Sequence, residues 1–90
     1  NAQIIMEDAN LELAIKAAIF GAVGTCGQRC TTLRRLFIQS SIYETVKEKM
    51  MKVYPTVKIG NPLDEDTLCG PLHSRWQVTM YQEGLETIKA

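Results

Sequence analysis

Strand-like and helix-like segments alternate along this chain, and only two of the segments have the character of strands. Residues 1–6 are rich in isoleucine and predict a mostly buried strand, and residues 35–39 predict a second one. Helical patterns follow both, which gives the order strand, helix, strand, helix, loop, helix. This alternation is typical of an α/β layer with parallel strands. Because two strands do not make a stable parallel sheet by themselves, we expect the sheet to be incomplete within these residues.

Apolar spacing and a polar turn predict the first helix. Asp8 or Asn10 can accept a hydrogen bond from the first helical turn and so cap it. Gly24 can end the helix, since glycine tolerates the backbone of a helix terminus. The apolar residues that recur on one helical face are Leu11, Ala14, Ile15, Ala18, Ile19 and Ala22.

Capping-box patterns predict where the other two helices begin. Ser41 is followed three residues later by Glu44, and Ser74 is followed in the same way by Gln77. Pro55 bars continuation of the second helix. The predicted inward faces are Tyr43, Val46, Met50 and Val53 in the second helix, and Val78, Tyr81, Leu85 and Ile88 in the third.

The length of the chain limits how many domains it can form, and its charge limits which kinds of partner it can bind. Ninety residues make one small domain at most, which we expect to cover 1–90 without an internal boundary. Ten Lys and Arg balance ten Asp and Glu, so there is no basic excess of the kind that nucleic-acid binding requires. Charges interrupt every apolar run before it reaches the roughly 18–20 residues of a membrane span. We therefore expect neither nucleic acid nor a membrane as a partner.

The two ends and the cysteine count give further expectations. The first residues already have strand character, and Ala90 lies inside a helical pattern without a stop signal, so we expect these residues to be part of a longer chain. Three cysteines are too few, and odd in number, for a secreted disulfide framework of this size. We expect reduced thiols and a cytoplasmic location, with the mitochondrion as the alternative.

The segment of residues 24–32 has the strongest chemical signal. It places Cys30 at the end of a glycine-containing turn, beside Arg29 and close to Arg34 and Arg35. A thiol is a good nucleophile only as the thiolate, which positive surroundings favour. This pattern indicates a catalytic thiol, whereas the simpler interpretation is a small buried core cysteine.

Two non-enzymatic interpretations use the same cysteines. Cys26 and Cys30 are spaced like Cys69 and His73, and together the four could hold a tetrahedral zinc ion if the two pairs met. Alternatively, Cys26 and Cys30 could form a redox pair, although their spacing is wider than the Cys-x-x-Cys of disulfide oxidoreductases. Either interpretation would make the chain a small zinc or redox module.

Residues 27–31, Gly-Gln-Arg-Cys-Thr, resemble the active-site cysteine signature of the aldehyde dehydrogenases, in which a small apolar residue, here Val23, stands four positions before the Gly-Gln-x-Cys. The resemblance extends along the whole chain, through the strand and acidic turn of residues 4–11 and the markers Gly-Asn-Pro at 60–62 and Gly-Pro-Leu at 70–72. Within the family the chain is most similar to the antiquitin group, the α-aminoadipic semialdehyde dehydrogenases of lysine breakdown. Cys26 departs from the alanine expected there.

The resemblance implies a mechanism. The thiolate of Cys30 would attack an aldehyde carbonyl to form a thiohemiacetal, hydride would pass to NAD to leave a thioester, and activated water would release the acid. Backbone amides, including that of Cys30, would hold the oxyanion. Arg29 would anchor the carboxylate of the substrate, because a guanidinium can bind a carboxylate through two hydrogen bonds.

The resemblance also implies what this chain lacks. The general-base glutamate, the oxyanion-hole asparagine and the Rossmann domain that binds NAD would lie outside residues 1–90. We therefore expect no cofactor-binding residue and no metal ligand in this chain, and no dehydrogenase turnover by these residues alone. The parent protein would be a homo-oligomer, a tetramer or a dimer, that acts on a small aldehyde.

Overall fold

Two parallel strands, β1 (Ala2–Ile5) and β2 (Arg35–Ile38), form the sheet, with Ile5 opposite Ile38. The computed structural model describes all residues from 1 to 90. The prediction of an incomplete parallel sheet in an α/β fold is confirmed. The prediction that the first strand is mostly buried is wrong, because side chains alternate between two faces and helices cover only one: Ile5 is buried, whereas Ile4 is 70% exposed.

Helix α1 (Leu11–Val23) follows β1 and supplies most of the small core. The side chain of Asn10 caps it by accepting a hydrogen bond from the Leu13 amide at 3.2 Å, so Asn10 rather than Asp8 is the cap. The predicted apolar face is confirmed. The four residues at the centre of the core are Ile5, Ile15, Ile19 and Val46.

Helix α2 (Tyr43–Val53) begins without a side-chain cap. The predicted capping box is wrong, because a 3₁₀ turn places Ser41 before the helix and its hydroxyl donates to the Glu7 carboxylate at 3.0 Å. This bond ties the start of α2 to the loop after β1. Of the predicted inward face only Val46 is fully buried, and Tyr43 is 48% exposed.

Helix α3 (Arg75–Lys89) begins as predicted, with the Gln77 amide donating to the hydroxyl of Ser74 at 3.3 Å. The predicted inward face is wrong: no residue of α3 is buried, and Tyr81 and Ile88 are largely exposed. Periodicity correctly identified the apolar stripe, but no other element of the chain covers it. None of the helices combines the length and apolar character that crossing a membrane requires.

The long loop between α2 and α3 folds back on itself. Ile59 and Cys69 form an isolated parallel bridge, and the carbonyl oxygen of Lys58 accepts hydrogen bonds from the amides of Leu68 and Cys69, each at 3.0 Å. This pairing closes residues 59–69 into a loop and places Cys69 and the residues that follow it beside the turn that ends α1.

Candidate functional site

The chain leaves α1 through an unusual left-handed turn. Thr25, Cys26 and Gly27 have φ angles of 54°, 55° and 70°, inside a short 3₁₀ segment over Gly24–Gly27. Left-handed backbone suits glycine but costs roughly 1–2 kcal/mol for a residue with a β-carbon. A β-branched threonine in this region is therefore a strained position. Such strain often accompanies functional sites, and this turn directly precedes the candidate nucleophile.

Cys30 lies in the next turn, which runs from Arg29 to Thr32. The Thr32 amide donates to the Arg29 carbonyl at 3.0 Å, and the buried hydroxyl of Thr32 accepts from the Arg29 amide at 3.0 Å. Asn1 adds a third tie, since its side-chain amide donates to the Cys30 carbonyl at 2.6 Å. The turn is thus held at both ends, while Cys30 between them is exposed.

Within residues 1–90 Cys30 is exposed, in contrast to the simpler interpretation of a buried core cysteine. Its backbone amide makes no hydrogen bond to another atom of the chain, so it can donate to a bound group. The thiol and this amide belong to the same residue. A carbonyl carbon attacked by the sulfur would therefore carry its oxygen close to a free N–H donor.

Two arginines, Arg29 and Arg34, belong to or contact this turn, and neither is neutralised by a carboxylate. Arg34 donates to the carbonyl oxygens of Thr32 and Arg29, at 2.9 and 3.5 Å, and so fixes the turn. Arg35 lies exposed in β2. Salt bridges of the chain involve lysines only. Arginines without a carboxylate partner favour anionic ligands near the turn.

Arg29 points back towards α1. Its Nη2 donates to the Phe20 carbonyl at 3.1 Å, and its guanidinium lies over the Phe20 ring. The Nε atom of Arg29 is buried and has no hydrogen-bond partner. A buried unpaired donor is unfavourable, so the Arg29 side chain keeps one unsatisfied polar group beside Phe20.

Gln28 connects the turn to the long loop. Its side-chain nitrogen donates to the carbonyl oxygens of Thr25, at 3.1 Å, and Pro71, at 3.4 Å, and its side-chain oxygen accepts from the His73 amide at 2.9 Å. One side chain therefore fixes residues 71–73 against the segment that leads to Cys30. The sequence did not reveal this role, because its partners lie more than forty residues away.

The cysteines do not meet in the arrangement that the zinc interpretation requires. Cys26 lies beside Cys69, and the two line an open cavity of about 500 Å³. No group of three or more histidine, cysteine or acidic side chains comes together in the chain. Cys26, Cys30, Cys69 and His73 therefore do not form a tetrahedral site, and Cys69 rather than Cys30 shares a cavity with Cys26.

Burial raises the pKa of the Cys26 thiol above its ordinary value, and the neighbouring Cys69 raises it further through a hydrogen bond and charge repulsion. A thiol with a raised pKa stays protonated near neutral pH. Cys26 is therefore a poor nucleophile at rest, in contrast to what a catalytic thiol needs.

The residues do not fit a dinucleotide cofactor. A pyrophosphate is usually held by a glycine-rich loop between a strand and the N-terminus of a helix. Here β1 leads into α1 through residues 6–10, which contain no glycine, and β2 leads into α2 through residues 39–42, which contain none either. These segments offer side-chain contacts to each other rather than a phosphate cradle.

The sequence matches the aldehyde dehydrogenase family over residues 1–90. An aldehyde dehydrogenase family 7 member A1 of Pisum sativum is 51% identical over 90 residues, which are 100% of this chain and 18% of the relative. An alpha-aminoadipic semialdehyde dehydrogenase of Bos taurus is 47% identical over 89 residues, which are 99% of this chain and 16% of the relative. The chain thus spans less than a fifth of the length of these relatives.

The fold is also that of a solved protein. A crystal structure of a betaine aldehyde dehydrogenase point mutant from Staphylococcus aureus superposes with a TM-score of 0.96 at 30% sequence identity. The match covers 99% of this chain and 18% of that one. That structure is described as a complex with NAD+ that contains a cysteine modified by β-mercaptoethanol.

Proposed function

The chain belongs to the aldehyde dehydrogenase family, and from this premise we propose that it carries the nucleophile, Cys30, of an enzyme that oxidises an aldehyde to a carboxylic acid. The observation that supports this most directly is the exposure of Cys30 on a turn held by hydrogen bonds at both ends. A rigid turn positions a nucleophile, and exposure lets a small substrate reach it. The modified cysteine in the betaine aldehyde dehydrogenase structure shows that a thiol of that relative reacts with small molecules.

The step proposed for this chain is formation of a carbon–sulfur bond. The thiolate of Cys30 attacks the aldehyde carbon, and the carbonyl electron pair moves to oxygen, where the free amide of Cys30 donates to it. Protonation of this oxygen completes a thiohemiacetal. After oxidation of that carbon to a thioester, hydrolysis would return the thiol of Cys30.

Oxidation of the thiohemiacetal needs a hydride acceptor, and NAD would supply it when bound to the parent protein. Because the residues present here do not fit a dinucleotide, we assign NAD binding to segments outside residues 1–90. We assign the base that activates water to such segments as well. The ninety residues alone are accordingly expected to show no turnover with aldehyde and NAD.

The substrate proposed is α-aminoadipic semialdehyde, an aldehyde that also carries a carboxylate. The relative from Bos taurus bears that substrate in its name. Arg29, directly before Cys30, has N–H groups beyond the one that Phe20 accepts, and its Nε has no partner in the chain. A guanidinium in this position suits the carboxylate of such a substrate. Arg29 is therefore the proposed substrate anchor.

The test compares cysteine variants of the full-length protein. We expect Cys30→Ser to abolish NAD-linked oxidation of the semialdehyde while NAD binding, followed by fluorescence titration, is retained. Cys26→Ala is the matched control, because it removes a thiol only four positions away and is expected to remain active. Mass spectrometry should locate a neutral-pH alkylating label on Cys30. Dehydrogenase activity in Cys30→Ser would overturn the assignment.

Assembly and compartment are proposals drawn from the family. We propose a homo-oligomeric parent, a tetramer or a dimer, which size-exclusion chromatography with light scattering would measure. We propose a cytoplasmic location, with the mitochondrion as the alternative, which imaging of the tagged full-length protein would distinguish.

A further inference from the structure

Two cysteines that play no part in the proposed chemistry lie against each other. Cys26 is on the left-handed turn after α1, and Cys69 is on the loop between α2 and α3. Both thiols are free, and both line the same cavity. Nothing in the order of the chain predicts this contact, because the two residues belong to segments far apart in sequence.

Independent contacts hold the two segments together. Gln28 bonds across to the Pro71 carbonyl and to the His73 amide. The bridge between Ile59 and Cys69 fixes the loop on its other side. These contacts of the surrounding segments therefore bring Cys26 and Cys69 to the same cavity.

A small oxidant can reach this pair. Both cysteines are half-buried, and both line the open cavity of about 500 Å³, whose other walls are mostly apolar. The wall includes Tyr81 and Leu72, and no acidic side chain lines the cavity. A neutral oxidant of the size of hydrogen peroxide fits such an opening without a charge penalty.

We propose that Cys26 and Cys69 form a reversible disulfide on exposure to a peroxide, a modification site separate from Cys30. The thiolate of Cys69 attacks the peroxide O–O bond, which gives a sulfenic acid on Cys69 and, after proton uptake, one water, while Cys26 is the second thiol. The second thiol attacks that sulfur, the S–S bond forms, and a second water leaves. The two thiols lose two electrons, and the peroxide gains them. A dithiol reductant reverses the change by thiol–disulfide exchange.

Peptide mapping tests the proposal directly, because trypsin separates the three cysteines. Cleavage after lysine and arginine leaves Cys26 in peptide 17–29, Cys30 in 30–34 and Cys69 in 59–75. The full-length protein is treated with hydrogen peroxide, blocked with an alkylating reagent, digested and analysed without reduction. We expect peptides 17–29 and 59–75 to appear joined, lighter by two hydrogen atoms than their sum, and to separate after treatment with dithiothreitol.

Variants make the result specific. The joined peptide should persist in Cys30→Ser and be lost in Cys26→Ala and Cys69→Ala. Joining of 17–29 to 30–34, joining of either peptide to another part of the protein, or recovery of both peptides only as alkylated thiols would overturn the proposal. The outcome does not depend on dehydrogenase activity, so failure here leaves the role of Cys30 untouched, and failure of that role leaves the disulfide untouched.

Discussion

The guanidinium of Arg29 lies over the ring of Phe20, with 4.9 Å between Cζ and the ring centroid, and donates to the carbonyl of the same residue at 3.1 Å. Phe20 is in the last turn of α1, where carbonyl groups carry partial negative charge. A cation in this place stabilises the helix end and orients the residue before Cys30. Arg29 therefore has a structural contact as well as its proposed role in substrate binding.

Replacing Arg29 separates these two roles. Arg29→Ala should raise KM about 10- to 100-fold for the semialdehyde, which corresponds to loss of a charged hydrogen bond worth roughly 1.5–3 kcal/mol. KM for an uncharged aldehyde of similar length should change little. Steady-state kinetics of the full-length protein with both substrates gives the comparison. Arg35→Ala, which removes an exposed arginine of β2, is the control. If Arg29→Ala raised KM equally for both substrates, Arg29 would not be the residue that binds the substrate carboxylate.

Gly24 leaves the space that the Arg29 guanidinium occupies. A β-carbon at residue 24 would overlap Nη2 of Arg29, while the Gly24 backbone itself has an ordinary φ of −54°. Gly24→Ala should therefore displace the guanidinium from Phe20 and lower the free energy of unfolding by about 1 kcal/mol. In an Arg29→Ala background the same change should be neutral or stabilising. Urea unfolding of the four proteins in this double-mutant cycle measures the coupling, and additive effects would refute it.

Thr25 is strained by its left-handed backbone. Thr25→Gly should raise the free energy of unfolding by about 0.5–1 kcal/mol, since relief of the strain exceeds the extra chain entropy of glycine. Thr31→Gly serves as the control, because Thr31 has no positive φ angle. The free energy of unfolding of that variant should not rise. Chemical denaturation provides the measurement. A loss of stability in Thr25→Gly would show that the left-handed turn carries no strain.

The Gln28 side chain joins the turn to residues 71–73. Gln28→Ala should speed hydrogen exchange at the His73 amide about two- to tenfold, as expected for loss of a hydrogen bond worth roughly 0.5–1.5 kcal/mol. Gln82→Ala, an exposed glutamine on α3, should leave that amide unchanged. Exchange followed by NMR or mass spectrometry distinguishes the two. Unaltered protection in Gln28→Ala would mean that the loop is held by other contacts.

The raised pKa of Cys26 predicts a pH profile. Alkylation of peptide 17–29 should be slow at neutral pH and accelerate only above the ordinary thiol value of 9.0, because burial and Cys69 favour the protonated form. The native state gains stability from this protonated thiol at pH values below the unfolded pKa, and loses it as pH rises through the native pKa. Cys69→Ala removes two of the three causes of the raised pKa, while burial remains, and should shift the profile to lower pH. A profile in Cys69→Ala identical to that of the unsubstituted protein would exclude the coupling.

Local signals in the sequence were enough to predict the elements near their true positions. The cap at Asn10 and the apolar face of α1 were confirmed because both depend on neighbours within one helix. The cap at Ser41 failed because Glu7, distant in sequence, competes for its hydroxyl. The same limit hid the contact of Cys26 with Cys69, which only the folded loop creates. Burial of α3 failed for another reason, since periodicity identifies a face but not what covers it.

Asn1 makes hydrogen bonds both to the turn that contains Cys30 and to the start of β2. Its side chain donates to the Cys30 carbonyl, and its own carbonyl oxygen accepts from the amides of Arg34 and Arg35. Pairing of β1 with β2 and formation of the turn that contains Cys30 are thus coupled. If β1 and β2 paired one residue out of register, the Asn1 side chain would move away from the Cys30 carbonyl. The turn that contains Cys30 would then be displaced. An error in the register of β1 and β2 would therefore lower the reactivity of the Cys30 thiol, even in molecules that remain folded.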